Sequence, residues 1–201
     1  IYIVHRWLPC RMAMSARNFT EISADIRFPR VDMGGAGTGI IGAEFPLLNY
    51  LMAGLHWLFG EGSWQGRGIV LVVSSIGIFY FHRLVKEVFD KPTAFAASLL
   101  LLASAWFEFS RKIMPDTFSV SLVIIALYHA WRYLTTGDRK AIWAYVLFAT
   151  LGVLSKMPAA CLLAVLIVPV IDRRVPSSRR WGLVLASLPV LAAIVMWCFL
   201  W

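Results

Sequence analysis

From Trp181 to Trp201 the chain carries no charged residue. A stretch of that length matches the roughly 17–25 apolar residues that cross a hydrocarbon core as a helix. In lipid the backbone must satisfy its own hydrogen bonds, so such a stretch leaves little choice but an α-helix. Four more approach the same character, roughly Gly68–Phe81, Pro92–Phe109, Phe118–Leu134 and Ala141–Leu154, each bounded by charge, Gly or Pro. A sixth, Pro158–Ile171, is shorter and interrupted by Pro169. The expected fold class is all-α, a polytopic transmembrane helical bundle, with about six spans in residues 68–201.

Composition agrees. Hydrophobic residues make up 60% of the 201 positions and charged residues only 15%, and the mean hydropathy is +0.73, more apolar surface than one soluble core consumes. A net charge of +8 would suggest a nucleic-acid partner for a soluble domain. Here many of the basic residues sit in short loops beside apolar segments, where membrane orientation accounts for them, and nucleic acid is set aside.

Those loops give a direction. His82, Arg83, Lys86 and Lys91, then Arg132, Arg139 and Lys140, then Arg173, Arg174, Arg179 and Arg180 alternate with loops poorer in Lys and Arg. The excess marks the cytoplasmic side. The opposite, external face then carries residues 1–67, the Arg111–Asp116 turn, Lys156 and Trp201. Trp64, Trp131, Trp143, Trp181 and Trp201 fall near segment ends, as aromatic anchors at headgroup depth do.

Residues 1–67 differ in character, mixing both signs of charge, with a Gly34-Gly35-Ala36-Gly37-Thr38-Gly39 run that breaks regular structure. They read as an external loop region holding a short helix over Met12–Phe19 and a second over Leu47–Gly60. The second is too short to span and suits the membrane surface. On it Asn49, Ala53, His56 and Gly60 form one stripe, leaving Leu47, Leu48, Leu51, Leu55 and Leu58 for lipid or other helices.

Several chemistries fall away. Cys10, Cys161 and Cys198 form neither a disulfide framework nor a CxxC site, which leaves the redox compartment open. His5, His56, His82 and His129 lack H-x-x-x-H spacing, which argues against zinc. Ser74, Ser75, Ser110, Ser119 and Ser121 have no G-x-S-x-G setting. No internal repeat is evident, which counts against a transporter of paired halves. The chain opens on Ile1 and shows no basic n-region followed by an apolar core, so no signal peptide is visible, and a start inside a longer reading frame is one reading of that opening.

The polar residues assigned to the external face are the candidate site. Glu44, before Phe45-Pro46, reads either as a capping acid for the surface helix or as a catalytic or metal-binding carboxylate. Asp32 reads as an Asx turn or a second acid, and Asp116 as a helix cap or a ligand. Glu108 can pair with Arg111 and Lys112, and Lys156 can snorkel. Their joint placement is the informative point, because charges at a bilayer are costly unless they serve a substrate or each other. Cations beside carboxylates suit transfer from a lipid phosphate: the cation holds the phosphate leaving group while a carboxylate takes the attacking hydroxyl's proton.

Five motifs then carry a resemblance. They are Ala16-Arg17-Asn18-Phe19, Pro29 to Gly35, Gly42-Ala43-Glu44-Phe45-Pro46-Leu47, Ser110-Arg111-Lys112-Ile113-Met114-Pro115-Asp116 and Leu154-Ser155-Lys156-Met157-Pro158. Together, from about His5 to Arg174, they resemble the membrane glycosyltransferases of the C-type (GT-C) fold, near the bacterial aminoarabinose and protein O-mannosyl transferases. The resemblance implies a polyprenyl-phosphate sugar as donor and a lipid, glycan or protein acceptor, at the non-cytoplasmic face of a bacterial inner membrane. It implies Glu44 as the acid that opens the second juxtamembrane helix, and Arg17, Arg111 and Lys156 as residues that face donor phosphate or sugar. Glu44 and Asp32 are thus the candidate catalytic acids, and Arg17, Arg111, Asp116 and Lys156 the candidate substrate-binding residues. No resident cofactor is indicated, and a divalent metal stays open.

Two departures accompany the resemblance. Arg11 stands where the family carries a loop Asp as base, and a cation cannot accept a proton. Family members are also at least twice this length. The alternative reading is a non-catalytic membrane subunit that keeps the scaffold and packs against partner proteins. A channel is a third, disfavoured because ionisable residues are scarce mid-span.

Overall fold

A computed structural model describes residues 4–33, 35, 37–41 and 44–200, with side chains from Leu8 onward. Trp201 and four loop residues of the sequence motifs, Gly34, Ala36, Gly42 and Ala43, lie outside the described residues. In chain order the helices are α1 (Val4–Glu21), α2 (Leu47–Phe59), α3 (Ser63–Val88), α4 (Lys91–Leu102), α5 (Ala105–Phe109), α6 (Pro115–Thr136) and α7 (Arg139–Ser155). A 3₁₀ helix, Met157–Leu166, runs into α8 (Ile167–Ile171), and α9 (Ser177–Leu200) ends the described chain. Among the described residues, the single β feature is an isolated antiparallel bridge between Arg30 and Ile40.

α6 is the hub. Its apolar window is 72% buried inside the bundle, against 17% for α3 and for α9, so α6 is covered by protein and the other two turn outward. These three helices are long and apolar enough to cross a membrane. The outward faces carry residues such as Phe79, Leu100, Trp143, Leu185 and Phe199, all exposed. Apolar cover on this scale needs lipid rather than water around it. The protein is a membrane protein built as an all-α helical bundle.

Small residues let the helices close on α6. A Cβ on Gly77 of α3 would lie 2.9 Å from the Ser121 Cβ, and one on Gly152 of α7 would lie 2.8 Å from the Val123 Cγ2. Ala126 and Ala130 of α6 and Ala149 of α7 are fully buried where the same helices meet α9. At the other side of the bundle, Met12 and Ala16 of α1 and Leu48 and Met52 of α2 share one buried cluster with Phe118, Leu122 and Ile125 of α6. α1 packs on α2, and α2 in turn lies against α3 and the end of α7, so that the buried side chains of both join the cluster at the first half of α6.

The elements differ from the sequence expectation in four places. The helix expected over Met12–Phe19 is the 18-residue α1, Val4–Glu21. The first apolar stretch, expected as Gly68–Phe81, is the 26-residue α3. Pro92–Phe109, expected as one span, is broken at Ala103 and Ser104 into α4 and α5, where the Ser104 hydroxyl donates to the Leu101 carbonyl at 2.6 Å. That local bond competes with helix propagation. Pro158 follows the end of α7, and the stretch after it winds as a 3₁₀ helix rather than an α-helical span. Of the α2 stripe, Asn49 and His56 are buried, and Asn49 Nδ2 donates to the Met12 carbonyl of α1 at 3.1 Å.

Candidate functional site

α6 and α7 form an antiparallel hairpin closed by Gly137, whose φ of +77° is the left-handed C-terminal cap that glycine adopts at least cost. The hairpin brings the first turn of α6 beside the last turn of α7. α6 begins at Pro115, so Asp116 is the second residue of its first turn rather than its cap. α7 stops at Ser155, and Lys156 is extended at φ −160°, ψ 103°. Its backbone N–H still donates to Gly152 O at 3.3 Å, and the buried Ser119 hydroxyl of α6 donates to that carbonyl at 2.6 Å.

Glu44 reaches this junction from the loop before α2. The N–H of Phe45 donates to Leu154 O at 3.1 Å, which hooks the loop onto the end of α7. The Phe45 ring meets Trp197 of α9 edge-on, 5.1 Å between centroids. Held this way, Glu44 does not cap α2, whose N-cap is Pro46. Its Oε1 accepts from Lys156 Nζ instead, and Lys156 also lies 3.8 Å from Asp116 Oδ1. Lys156 and Glu44 are about three-quarters buried, with side chains 24% and 22% exposed, whereas Asp116 is 53% exposed. One cation thus sits between two carboxylates, and the burial makes the Glu44 contact the stronger of the two.

The second oxygen of Glu44, Oε2, is buried and has no hydrogen-bond partner among the described residues, and neither has the buried Ser15 Oγ of α1. Both residues line one cavity of about 30 Å³, walled also by Arg11, Asn49, Pro115 and Ser155. That is room for a single water or hydroxyl oxygen. Arg11, singled out in sequence, therefore faces the same cavity as Glu44.

Arg17 and Asp32 form a separate group. The Arg17 guanidinium donates to Asp32, with Glu21 3.4 Å away on the same helix. Asn18, 4% exposed, donates from Nδ2 to Asp32 Oδ1 at 2.9 Å and to Arg30 O at 3.2 Å. With Val31 N–H on Gly39 O and Ile41 N–H on Pro29 O, these bonds fasten the 29–41 loop to α1. Arg111 stands in the turn before α6, 67% exposed and 3.9 Å from the equally exposed Glu108. The structure therefore brings Glu44, Lys156 and Asp116 together, brings Arg17 and Asp32 together, and leaves Arg111 at the surface. Ser15, Asn18 and Ser119 were not among the sequence candidates. Asn18 had a signal, as the neighbour of Arg17 in the quoted motif.

Among the described residues no three or more His, Cys, Asp or Glu side chains gather as a metal site.

A protein-family model described as dolichyl-phosphate-mannose-protein mannosyltransferase matches residues 43–198. The chain belongs to this family. Its match runs from the loop that carries Glu44 to α9 and so includes Asp116 and Lys156. Two solved structures of ArnT from Cupriavidus metallidurans are similar in fold, one in the apo state and one bound to undecaprenyl phosphate. The TM-scores are 0.71 and 0.73, with 20% and 21% sequence identity. Each alignment covers 96% of this chain and 36% of the ArnT chain, so this member of the mannosyltransferase family spans about a third of the ArnT length. The bundle therefore has the ArnT-like C-type glycosyltransferase fold. No curated protein matches the sequence.

Proposed function

We propose that this chain is a membrane glycosyltransferase, or the site-bearing part of one, which moves a sugar from a polyprenyl-phosphate donor to a lipid, glycan or protein hydroxyl at the non-cytoplasmic face of a bacterial inner membrane. The observation that carries the reading is the buried pairing of Lys156 with Glu44 beside a cavity with room for one hydroxyl. In the proposed reaction the acceptor oxygen attacks the anomeric carbon, and the bond from that carbon to the phosphate oxygen breaks. The acceptor proton goes to Glu44, and the charge left on the polyprenyl phosphate is met by Lys156.

Asp116, the second carboxylate on Lys156, orients the ammonium, and exposed Arg111 meets the phosphate as it arrives from the lipid. Arg17 faces the donor on the other side, with its guanidinium fixed by Asp32. Because Asp32 is already committed to Arg17 and Asn18, Glu44 is the stronger candidate for the proton. The undecaprenyl phosphate carried by the ArnT structure supports the donor class.

The test is transfer of a radiolabelled sugar from a synthetic polyprenyl-phosphate donor by purified protein, compared with Glu44→Gln. Equal turnover by the two proteins removes Glu44 from the mechanism. The second reading, a non-catalytic subunit, is favoured by Arg11 in the wall of the Glu44 cavity. Its mark would be fixed-stoichiometry co-purification with other membrane proteins and no lipid-sugar turnover.

A further inference from the structure

The 3₁₀ helix and α9 both pack on α6 and α7, and between them runs a groove of about 530 Å³. Leu183 and Val190 are buried at its floor, and Ile167, Leu188 and Leu191 are exposed along its rim. We propose that this groove holds an acyl chain of an anionic phospholipid, whose phosphate sits on the arginines of the turn from α8 into α9.

The lining selects hydrocarbon. Its polar side chains are Tyr145 and Ser187, and they answer each other: the two hydroxyls lie 2.7 Å apart, and Ser187 Oγ donates to the Leu183 carbonyl at 2.9 Å. That leaves no free polar side chain in the lining to offset the desolvation of a polar ligand. On α9 the lining runs from Leu183 to Ile194, a rise of about 17 Å. That is close to half of the roughly 30 Å of hydrocarbon in a bilayer. A groove one leaflet deep suits a lipid chain with its headgroup at the surface better than a helix that crosses both leaflets.

The mouth is cationic. The carbonyl of Val170, in the lining, lies 3.5 Å from Arg180 Nη1, which puts that guanidinium at the end of the groove. Arg173 and Arg174 are exposed in the same turn, and Arg179 donates to the Leu134 and Thr135 carbonyls beside it. The carboxylates of the two adjoining turns are already engaged. Asp138 caps α7 and lies 3.7 Å from Arg132, and Asp172 accepts from the Arg174 backbone N–H at 2.9 Å. Among the described residues, none of these four arginines of the mouth is paired with a carboxylate. Guanidinium forks match a phosphodiester, and basic pockets between membrane helices gather anionic headgroups on the cytoplasmic side. The loop charges mark this face as cytoplasmic, and Trp181, exposed next to Arg180, suits headgroup depth.

This site is separate from the one proposed for the donor. Lys156 stands beyond the far end of α7, about 25 Å of helix from Arg139. The groove meets α7 at Tyr145, nearer the Arg139 end. The proposal therefore goes beyond the transfer reading and does not depend on it.

Native mass spectrometry of the purified protein in detergent tests it, with titrations of dioleoyl phosphatidylglycerol, dioleoyl phosphatidylcholine and undecaprenyl phosphate. Phosphatidylglycerol is expected to bind about tenfold more tightly than phosphatidylcholine. Arg173→Gln, Arg174→Gln and Arg180→Gln together are expected to remove that preference. Val184→Trp, which fills the groove from α9, is expected to weaken both phospholipids. Equal binding of the two phospholipids by the parent, or a preference that survives the triple replacement, overturns the proposal. Displacement of phosphatidylglycerol by undecaprenyl phosphate overturns it too, because the groove would then seat the donor's chain. Photoreactive benzoylphenylalanine in place of Leu188, irradiated in cell membranes, gives a second measurement that needs no filled groove. Labelled phospholipid supports the proposal, and labelled protein without phospholipid overturns it in favour of a covering helix.

Discussion

Lys156 Nζ donates a hydrogen bond to Glu44 Oε1 across 112 residues of sequence. Lys156 is the first residue beyond α7, and Glu44 belongs to a loop hooked onto the same helix end by Phe45, so the pair forms only when α2, α6 and α7 are docked together. Removing the lysine leaves a mostly buried carboxylate with no cation on it. Lys156→Met is therefore expected to lower stability by about 1–3 kcal/mol, and the double variant with Glu44→Gln to recover part of that loss. Thermal unfolding of the four proteins of the cycle measures it. Strictly additive losses would mean that the two side chains are uncoupled in solution.

On activity the same two residues separate. Glu44→Gln keeps the shape and a hydrogen bond to Lys156 but cannot take a proton, and the expected loss is about 10²–10⁴ in kcat. Radiolabelled sugar transfer under saturating donor reads it. A change confined to KM would assign Glu44 to binding instead.

The second polar group gives a contrast of magnitudes. Arg17 and Asp32 are each 40% exposed, so water screens their ion pair, and Asp32→Asn is expected to cost below about 1 kcal/mol. Asn18 is buried and holds both Asp32 and the Arg30 carbonyl. Asn18→Ala strands that carbonyl and loosens the 29–41 loop, for an expected cost of about 1–3 kcal/mol. Chemical-denaturant or thermal melts rank the two, and the reverse order would make the surface ion pair the principal anchor.

Much of the architecture was legible because lipid simplifies the code: an apolar run of sufficient length has to be helical, and α3, α6 and α9 follow from that alone. The short helix α2 was legible for the complementary reason, being apolar but too short to span. What escaped depends on partners distant in sequence. The burial of Asn49 and His56 on their shared stripe depends on other elements, as in the bond from Asn49 to the Met12 carbonyl of α1. The Arg30–Ile40 bridge depends on backbone register across a glycine-rich turn that has no apolar alternation to announce it. At the site, the residue types Glu44, Lys156 and Asp116 were visible, whereas Ser15 and Ser119 are ordinary serines within helices. Their interest lies in burial and missing or doubled partners, which no sequence pattern encodes.

The close approach of α3 to α6 makes a test of packing. A Cβ at Gly77 meets the Cβ and backbone Cα of Ser121, at 2.9 and 3.1 Å, and neither can rotate away. Gly77→Ala should force the helices apart at a cost of about 1–3 kcal/mol. Gly68, in the same helix, has nothing within 4 Å of the corresponding position. Gly68→Ala should be neutral or stabilising by up to about 1 kcal/mol, since it removes only backbone entropy. Thermal melts in one detergent compare them directly, and equal effects would contradict the packing of α3 on α6.

The start of α4 carries a prediction in pH. Asp90 is its N-cap, with Oδ1 accepting from the Thr93 N–H at 2.8 Å and Pro92 in the first turn. Hydrogen bonds from Thr93 hold the Asp90 carboxyl below its ordinary value. A carboxyl depressed in the folded state stabilises the fold above its unfolded pKa of about 3.9, and that contribution fades as pH falls through the folded value. The melting temperature of the parent should therefore exceed that of Asp90→Ala at pH 7. The gap should narrow steadily once the pH drops below about 4. Melts of both proteins at intervals between pH 7 and pH 3 follow this gap. A difference constant across that range would mean that the ionised carboxylate does not carry the cap.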